Sequence, residues 1–171
     1  MPWLRDPPRA MLAPSKTREG GMEFERKTLA PQHYLYVERT APMAGIGAAM
    51  EEGLGAIFRF VTGAGIAPVS QPISVYLEMS DLMRFRCGVI VSEADAARAD
   101  GEVQADVLPT EVVSGMHVGP YGQLGQSHQA LWEHMAAEGI AGAMPVWEVY
   151  VDDPGQVPED RLRTEIYRAV A

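Results

Sequence analysis

Across residues 22–171 the apolar positions switch twice from a period of two to a period near 3.6 and back. Residues 23–29 alternate, with Phe24, Arg26 and Thr28 on one side and Glu25, Lys27 and Leu29 on the other, and residues 33–40 are rich in Tyr and Val; both segments read as strands. Ala30-Pro31 reads as the turn of a hairpin joining them. Ala41-Pro42 then opens a helix whose apolar residues, Met43, Ile46, Met50, Leu54, Ile57, Phe58 and Val61, lie in one stripe, and Gly63 and Gly65 close it. Residues 71–79 and 84–91 follow as strands. After a polar, Ala-rich connector at 92–101 the order returns: a strand at 103–108, a turn at Pro109, a strand at 111–118, and a helix opened by Gly119-Pro120. That helix carries Leu124, His128, Leu131 and Met135 in its stripe, and strands at 144–152 and 164–170 complete the chain.

The two passes are in register. Pro109 lies 78 residues after Pro31, and Pro120 lies 78 after Pro42; beyond the helices, Gly139 follows Gly65 and Tyr150 follows Tyr76 at a spacing of 74. The chain is therefore a duplicated β-α-β-β unit, with repeats at about 22–91 and 102–171. Eight strands with only two long helices cannot form a doubly wound parallel sheet. The expected fold is α+β, an antiparallel sheet with both main helices on one face.

At 171 residues and 47% hydrophobic composition, the length suits one good core. The net charge is −9, and because the first twenty residues carry Arg5, Arg9, Lys16 and Arg18 against Asp6 and Glu19, the remainder carries about −11. Such a field repels nucleic acid and favours cations. Cys87 is the only cysteine and there are four scattered histidines, which leaves neither a disulfide nor a Cys/His metal cluster to assemble. Gly45-Ile46-Gly47 lacks the third glycine of a dinucleotide fingerprint, so no cofactor is expected. No apolar run approaches membrane-span length and the N-terminus lacks a signal-peptide core. The expectation is a reduced, metal-free cytoplasmic protein without nucleic-acid or membrane partners. Residues 1–21, rich in Pro and Arg, read as a disordered leader in which Trp3 is a solvated tail residue, and 22–171 as the domain.

Chemistry concentrates at one acid. Glu148 stands among Val146, Trp147, Val149, Tyr150 and Val151, where a carboxylate either faces water, meets a cation or gives up its charge, because burying it unpaired costs several kcal/mol. By the repeat spacing it corresponds to Ser74, so the acid is not part of the shared architecture. His117 reads as a hydrogen-bonded structural residue and His128 as a core or site-edge residue. Trp132 packs beside Leu131, and Arg84 and Arg86, flanking Phe85, form a solvated strand face. Gly45, Gly47, Gly53 and Gly55 each cost about 1 kcal/mol in a helix interior; the first helix is thus either loosely held, as a lid would be, or pressed closely against something.

Read together, HVGPYGQL, LWEHMAAEGI, PVWEVYVDDP and the closing RTEIYRAV resemble the GyrI-like small-molecule-binding domains, which also form the effector-binding part of AraC-type and multidrug-responsive MerR-type regulators. The resemblance implies a ligand pocket at the junction of the repeats. It places Glu148 as the acid that neutralises lipophilic cations and Tyr121 as a site aromatic, with Tyr36, Tyr76 and Tyr150 as further ligand-binding aromatics by strand position and repeat symmetry. It implies a stand-alone module binding hydrophobic, cationic or aromatic small molecules, in drug or toxin protection. Two alternatives stay open: a hydrolase of strained or activated toxic molecules using Glu148 catalytically, and a protective protein that partners gyrase or a regulator. Twenty-one leading residues are too few for the helix-turn-helix of the regulators.

Overall fold

The computed structural model describes residues 21–171 and, for residues 16–19, the backbone. Most of the expected leader, Trp3 included, lies outside the described residues. Within it, Lys16–Glu19 (β1) pairs antiparallel with Met22–Thr28 (β2). The first repeat continues with His33–Pro42 (β3), Ile46–Ala64 (α1), Pro72–Glu78 (β4) and Leu82–Val91 (β5). A short helix, Glu93–Ala96 (α2), is started by the Ser92 hydroxyl, which accepts the Asp95 N–H. The second repeat then supplies Gln104–Val107 (β6), Glu111–Val118 (β7), Leu124–Ala137 (α3), Gly142–Tyr150 (β8) and Arg163–Val170 (β9).

The duplication holds to the residue at the helix entrances. A single 3-10 turn precedes each long helix, Met43–Gly45 before α1 and Tyr121–Gln123 before α3, again 78 apart. After each helix a glycine takes the left-handed conformation, Gly65 at φ +68° and Gly139 at φ +67°. There a side chain would clash with the following carbonyl, so glycine marks the stop in both copies.

Strand pairing departs from the expected hairpin. β2 does not pair with β3; it runs antiparallel to β7, with Phe24 opposite Gly115 and Lys27 opposite Val112. In return β6, the first strand of the second repeat, pairs with β3, His33 opposite Val107. The cross-over is fixed by backbone bonds from Leu29 N–H to the Thr110 carbonyl and from Leu108 N–H to the Gln32 carbonyl. The compact units of the chain are therefore not the sequence repeats, because each has handed its leading strand to the other. One unit, Ala30–Leu108, has the antiparallel strand order β4-β5-β3-β6; the other, Pro109–Ala171 with the strands before Ala30, has the order β1-β2-β7-β9-β8.

Each unit is an antiparallel sheet packed against one long helix, an α+β arrangement with its own core. In the first, α1 lays Ile57, Val61 and Ala56 on Leu35, Val37, Phe85 and Val89. In the second, Leu124, Leu131 and Met135 of α3 meet Phe24, Val113 and Ile166. The glycines of α1 divide into two kinds. A Cβ on Gly53 would fall 2.6 Å from Cys87 Sγ, so this glycine lets the helix sit down on β5, whereas a Cβ on Gly55 would meet only the tip of Arg59, 3.3 Å away. Burial pushes the Cys87 thiol up to about 12, leaving it a small apolar packing residue. Gly53→Ala is expected to cost about 1–2 kcal/mol, overpacking outweighing helix propensity, while Gly55→Ala gains about 0.5–1 kcal/mol. Chemical denaturation of the two variants checks the opposite signs.

Among the described residues no helix is long and apolar enough to cross a membrane, and no three His, Cys, Asp or Glu side chains cluster as a metal would require.

Candidate functional site

β8 alternates in the way a doubly covered strand must. Trp147 points to one face, where it stacks on Tyr167 of the neighbouring strand at 5.1 Å and 6°. Glu148 and Tyr150, two residues apart, share the other. Glu148 is buried, only 4% exposed. The 3-10 turn and the first turn of α3 bring His128 to it, Nε2 lying 2.9 Å from Glu148 Oε1. The Tyr150 hydroxyl donates to Oε2 at 2.7 Å. Both carboxylate oxygens thus have a donor, which is what keeps so deeply placed an acid tolerable. His128 is itself mostly covered, its side chain 13% exposed.

The cluster has a wet side. Tyr121, in the turn before α3, packs edge-on against Tyr150 with ring centroids 5.5 Å apart, yet remains 37% exposed. Partial burial, with Asp152, Asp153 and Glu148 near, pushes its phenol pKa upward. The arrangement runs from solvent inward: an exposed aromatic ring, a second ring set against it, then a carboxylate braced by an imidazole. His117 fixes the turn from which Tyr121 hangs. Its Nε2 faces the Pro120 carbonyl at 3.1 Å and must donate, so in the neutral ring Nδ1 accepts from the Ser127 hydroxyl at 2.7 Å. This is a structural histidine.

Repeat symmetry explains where the acid stands. His128 lies 78 residues after Met50, and Glu148 lies 74 after Ser74, the spacings that relate the helices and the strands after them. In the first unit those equivalents also touch, the Ser74 hydroxyl donating to Met50 Sδ at 2.7 Å. One unit joins helix to strand through a hydroxyl and a thioether; the other uses a base and an acid at the same place. The packing does not require charge there.

Of the residues expected to bind ligand, Glu148, Tyr150 and Tyr121 come together in the second unit. Tyr36 and Tyr76 belong to the first unit and are engaged there. The Tyr36 hydroxyl donates to Gln104 Oε1 at 3.0 Å and its ring lies 4.1 Å beneath the Arg86 guanidinium; Tyr76 is buried, 6.0 Å from the Phe85 ring. Arg86 is not the solvated residue expected from its strand. It donates to the Tyr34 hydroxyl at 2.7 Å and to Asp106 at 2.8 Å, tying β6 to β5. Burial pushes the Tyr34 phenol up to about 12. Burial alone would lower the Arg86 pKa, but its bonds to Asp106 and Tyr34 hold it above the usual arginine value. Trp132 is likewise not packed beside Leu131: it is 46% exposed and carries the Arg168 guanidinium 4.1 Å over its ring.

The sequence left His128 as a core or site-edge residue and did not join it to Glu148. It sat in the apolar stripe of its helix, and periodicity alone cannot separate a core histidine from one turned to an acid. The two repeat spacings, applied together to Met50 and Ser74, were the signal that joins it to Glu148.

Comparison with known proteins places the chain in a family. A family model described as a GyrI-like small molecule binding domain matches residues 22–171. No curated protein matches the sequence significantly. Among solved structures, the chain is similar to the C-terminal domain of EcmrR, at 18% identity and a TM-score of 0.76, covering 88% of this chain and 98% of that one. It is similar to a hydrolase from Listeria innocua, at 15% identity and a TM-score of 0.58, with 86% and 91% covered. It is also similar to SAV2435 bound to tetraphenylphosphonium, at 14% identity and a TM-score of 0.54, with 87% and 94% covered. At such identities the likeness is one of fold.

Proposed function

Because this chain belongs to the family of GyrI-like small-molecule-binding domains, we propose that it takes up hydrophobic, cationic small molecules at Glu148, as a drug or toxin binder. The observation that carries the reading is a carboxylate 4% exposed that accepts from the Tyr150 hydroxyl, the Tyr150 ring being set against the half-exposed Tyr121. Aromatic faces attract a cation through their negative quadrupole and an apolar guest through its area, and the acid supplies the countercharge. The net charge of −9 adds long-range attraction for a cation. SAV2435, of similar fold, binds a lipophilic cation of this class.

The test is titration with tetraphenylphosphonium, followed by calorimetry and thermal unfolding, beside the uncharged triphenylphosphine oxide. Saturable binding is expected. At a hundredfold excess over Kd the folded state gains about 2.7 kcal/mol, a rise of about 5–10 °C in Tm for a chain of this size. Absence of binding by either measure overturns the reading.

A second reading rests on the His128–Glu148 bond. A carboxylate oriented by an imidazole can take a proton from water as the water oxygen attacks an electrophilic carbon; the ester C–O bond or a strained-ring C–C bond breaks, and the departing oxygen or carbon takes that proton back from the carboxyl group. Mass spectrometry of electrophilic cyclopropane or ester substrates after incubation separates the two: a product that disappears in Glu148→Gln supports hydrolysis, and unaltered ligand counts against it.

A further inference from the structure

We propose that His128 sets the site's charge specificity by coupling uptake of a cation to release of one proton, so that cations, and not neutral guests, bind more tightly as pH rises. The inference deepens the proposed binding function and rests on it. It starts from a geometric conflict. Glu148 Oε1 is already occupied by His128 Nε2 at 2.9 Å, and Oε2 by the Tyr150 hydroxyl at 2.7 Å, so an arriving cation finds its countercharge in use.

The number of protons on the imidazole determines how that conflict resolves. When the imidazole carries both of its protons, the His128–Glu148 pair is neutral, and a guest cation brings a second positive charge to a carboxylate that one positive group already satisfies. When His128 holds one proton, on Nε2, it still donates the same hydrogen bond, and the pair carries a charge of −1 that the guest can neutralise. Below the titration of the pair, binding one permanent cation therefore expels one proton from the imidazole to solvent. Above it, no proton moves. Linkage makes the apparent affinity rise up to tenfold per pH unit in the first regime and level off in the second. A neutral aromatic guest makes no demand on the charge and leaves the proton in place.

The other ionisable groups on the elements around α3 do not duplicate this role. His117 on β7 has both ring nitrogens committed to Ser127 and Pro120. On β9 and the loop before it, Arg163 pairs with Asp152, and Glu165 lies 3.9 Å from Lys27 of β2. His134, on α3 itself, packs its ring on Phe24. Arg168 of β9 holds its guanidinium 4.1 Å over the Trp132 ring of α3. Glu23, Glu25 and Arg26 of β2, Glu111 of β7, Glu133 of α3 and Glu138 after it, Asp153 after β8, and Glu159, Asp160 and Arg161 before β9 complete the charged set of these elements and the loops beside them. Partial burial holds the Tyr121 phenol above its ordinary value, already far from neutrality. Repeat symmetry supplies the independent support: the first unit fills the equivalent positions with Met50 and Ser74, so a titrating pair is an addition of the second unit and not a packing requirement.

The experiment uses the full chain and tetraphenylphosphonium, which has no titratable proton of its own, with triphenylphosphine oxide as the uncharged control. Calorimetry at about pH 5 and about pH 9, in buffers of different ionisation enthalpy, reads the number of protons released. The expected result is close to one proton at the lower pH and close to none at the higher, with cation affinity rising about ten- to a hundredfold between them and neutral-guest affinity flat. His128→Gln, whose amide preserves the donor to Glu148, is expected to release none and to bind the cation equally at both values. His128→Met, which places the residue of the equivalent position opposite Glu148, guards against a folding defect in the first variant and should also be pH-flat. Cation binding by the unmodified protein with no proton released at either pH overturns this inference and leaves the binding function standing. Proton release that survives in both variants assigns the proton to another group and also overturns it. Failure of tetraphenylphosphonium to bind at any pH overturns the binding function, and this inference with it.

Discussion

Glu148→Gln is expected to weaken tetraphenylphosphonium binding by about a hundredfold or more while changing the affinity for triphenylphosphine oxide by less than about threefold. Truncating one member of a buried charge pair costs roughly 2–5 kcal/mol, and a hundredfold is about 2.7 kcal/mol. The amide has the shape of the carboxylate, its oxygen still accepts from the Tyr150 hydroxyl, and His128 meets the NH₂ group through its other neutral tautomer. Fold and apolar contact area are retained, and only the countercharge goes. Calorimetry on both guests reads the split. Equal losses for the cation and the neutral guest would mean that Glu148 shapes the site without selecting charge, and an unchanged cation affinity would remove it from the site altogether.

The second large effect is on stability. Phe24→Ala is expected to lower the unfolding free energy by about 3–5 kcal/mol, the range for emptying a fully buried phenylalanine position. Phe24 has no exposed surface, its ring lies 5.1 Å from that of His134, and it covers Gly115, where a Cβ would come within 2.7 Å of a ring carbon. It is also the residue by which β2 enters a core built otherwise from the far end of the chain. Urea denaturation measures the loss. A change below about 1 kcal/mol would show that β2 contributes little to the second unit's core.

Much of the architecture was legible because it is punctuated locally. Proline fixes φ and glycine readily takes the positive φ that other residues avoid, so Pro31, Pro42, Gly65 and their counterparts announced the turns and the duplication, and the 3.6-residue stripes announced both long helices. Strand pairing was not legible. Residues 23–29 and 33–40 have the composition of a hairpin, but partner choice is settled by what covers Phe24 and by where Leu29 and Leu108 find their backbone bonds, and no short window contains those groups. Glu148 stood out because one acid in an apolar strand breaks a pattern. Tyr121 and Tyr150 reached it through the turn and the strand already read. His128 and Arg86 did not stand out, since a histidine in a helix stripe and an arginine in a strand each have an ordinary reading that only their three-dimensional partners, Glu148 in one case and Tyr34, Tyr36 and Asp106 in the other, displace.

The exchange of leading strands bears on how the chain comes off the ribosome. β2 is made before the first unit, yet the β7 strand it must join is translated only after that entire unit has been completed, and until then one backbone edge waits with its amides and carbonyls exposed to other nascent chains. Its composition suits that wait. In MEFERKT the charged side chains of Glu23, Glu25, Arg26 and Lys27 surround a single large ring, discouraging premature edge-to-edge association while sparing the one group that docks at the end.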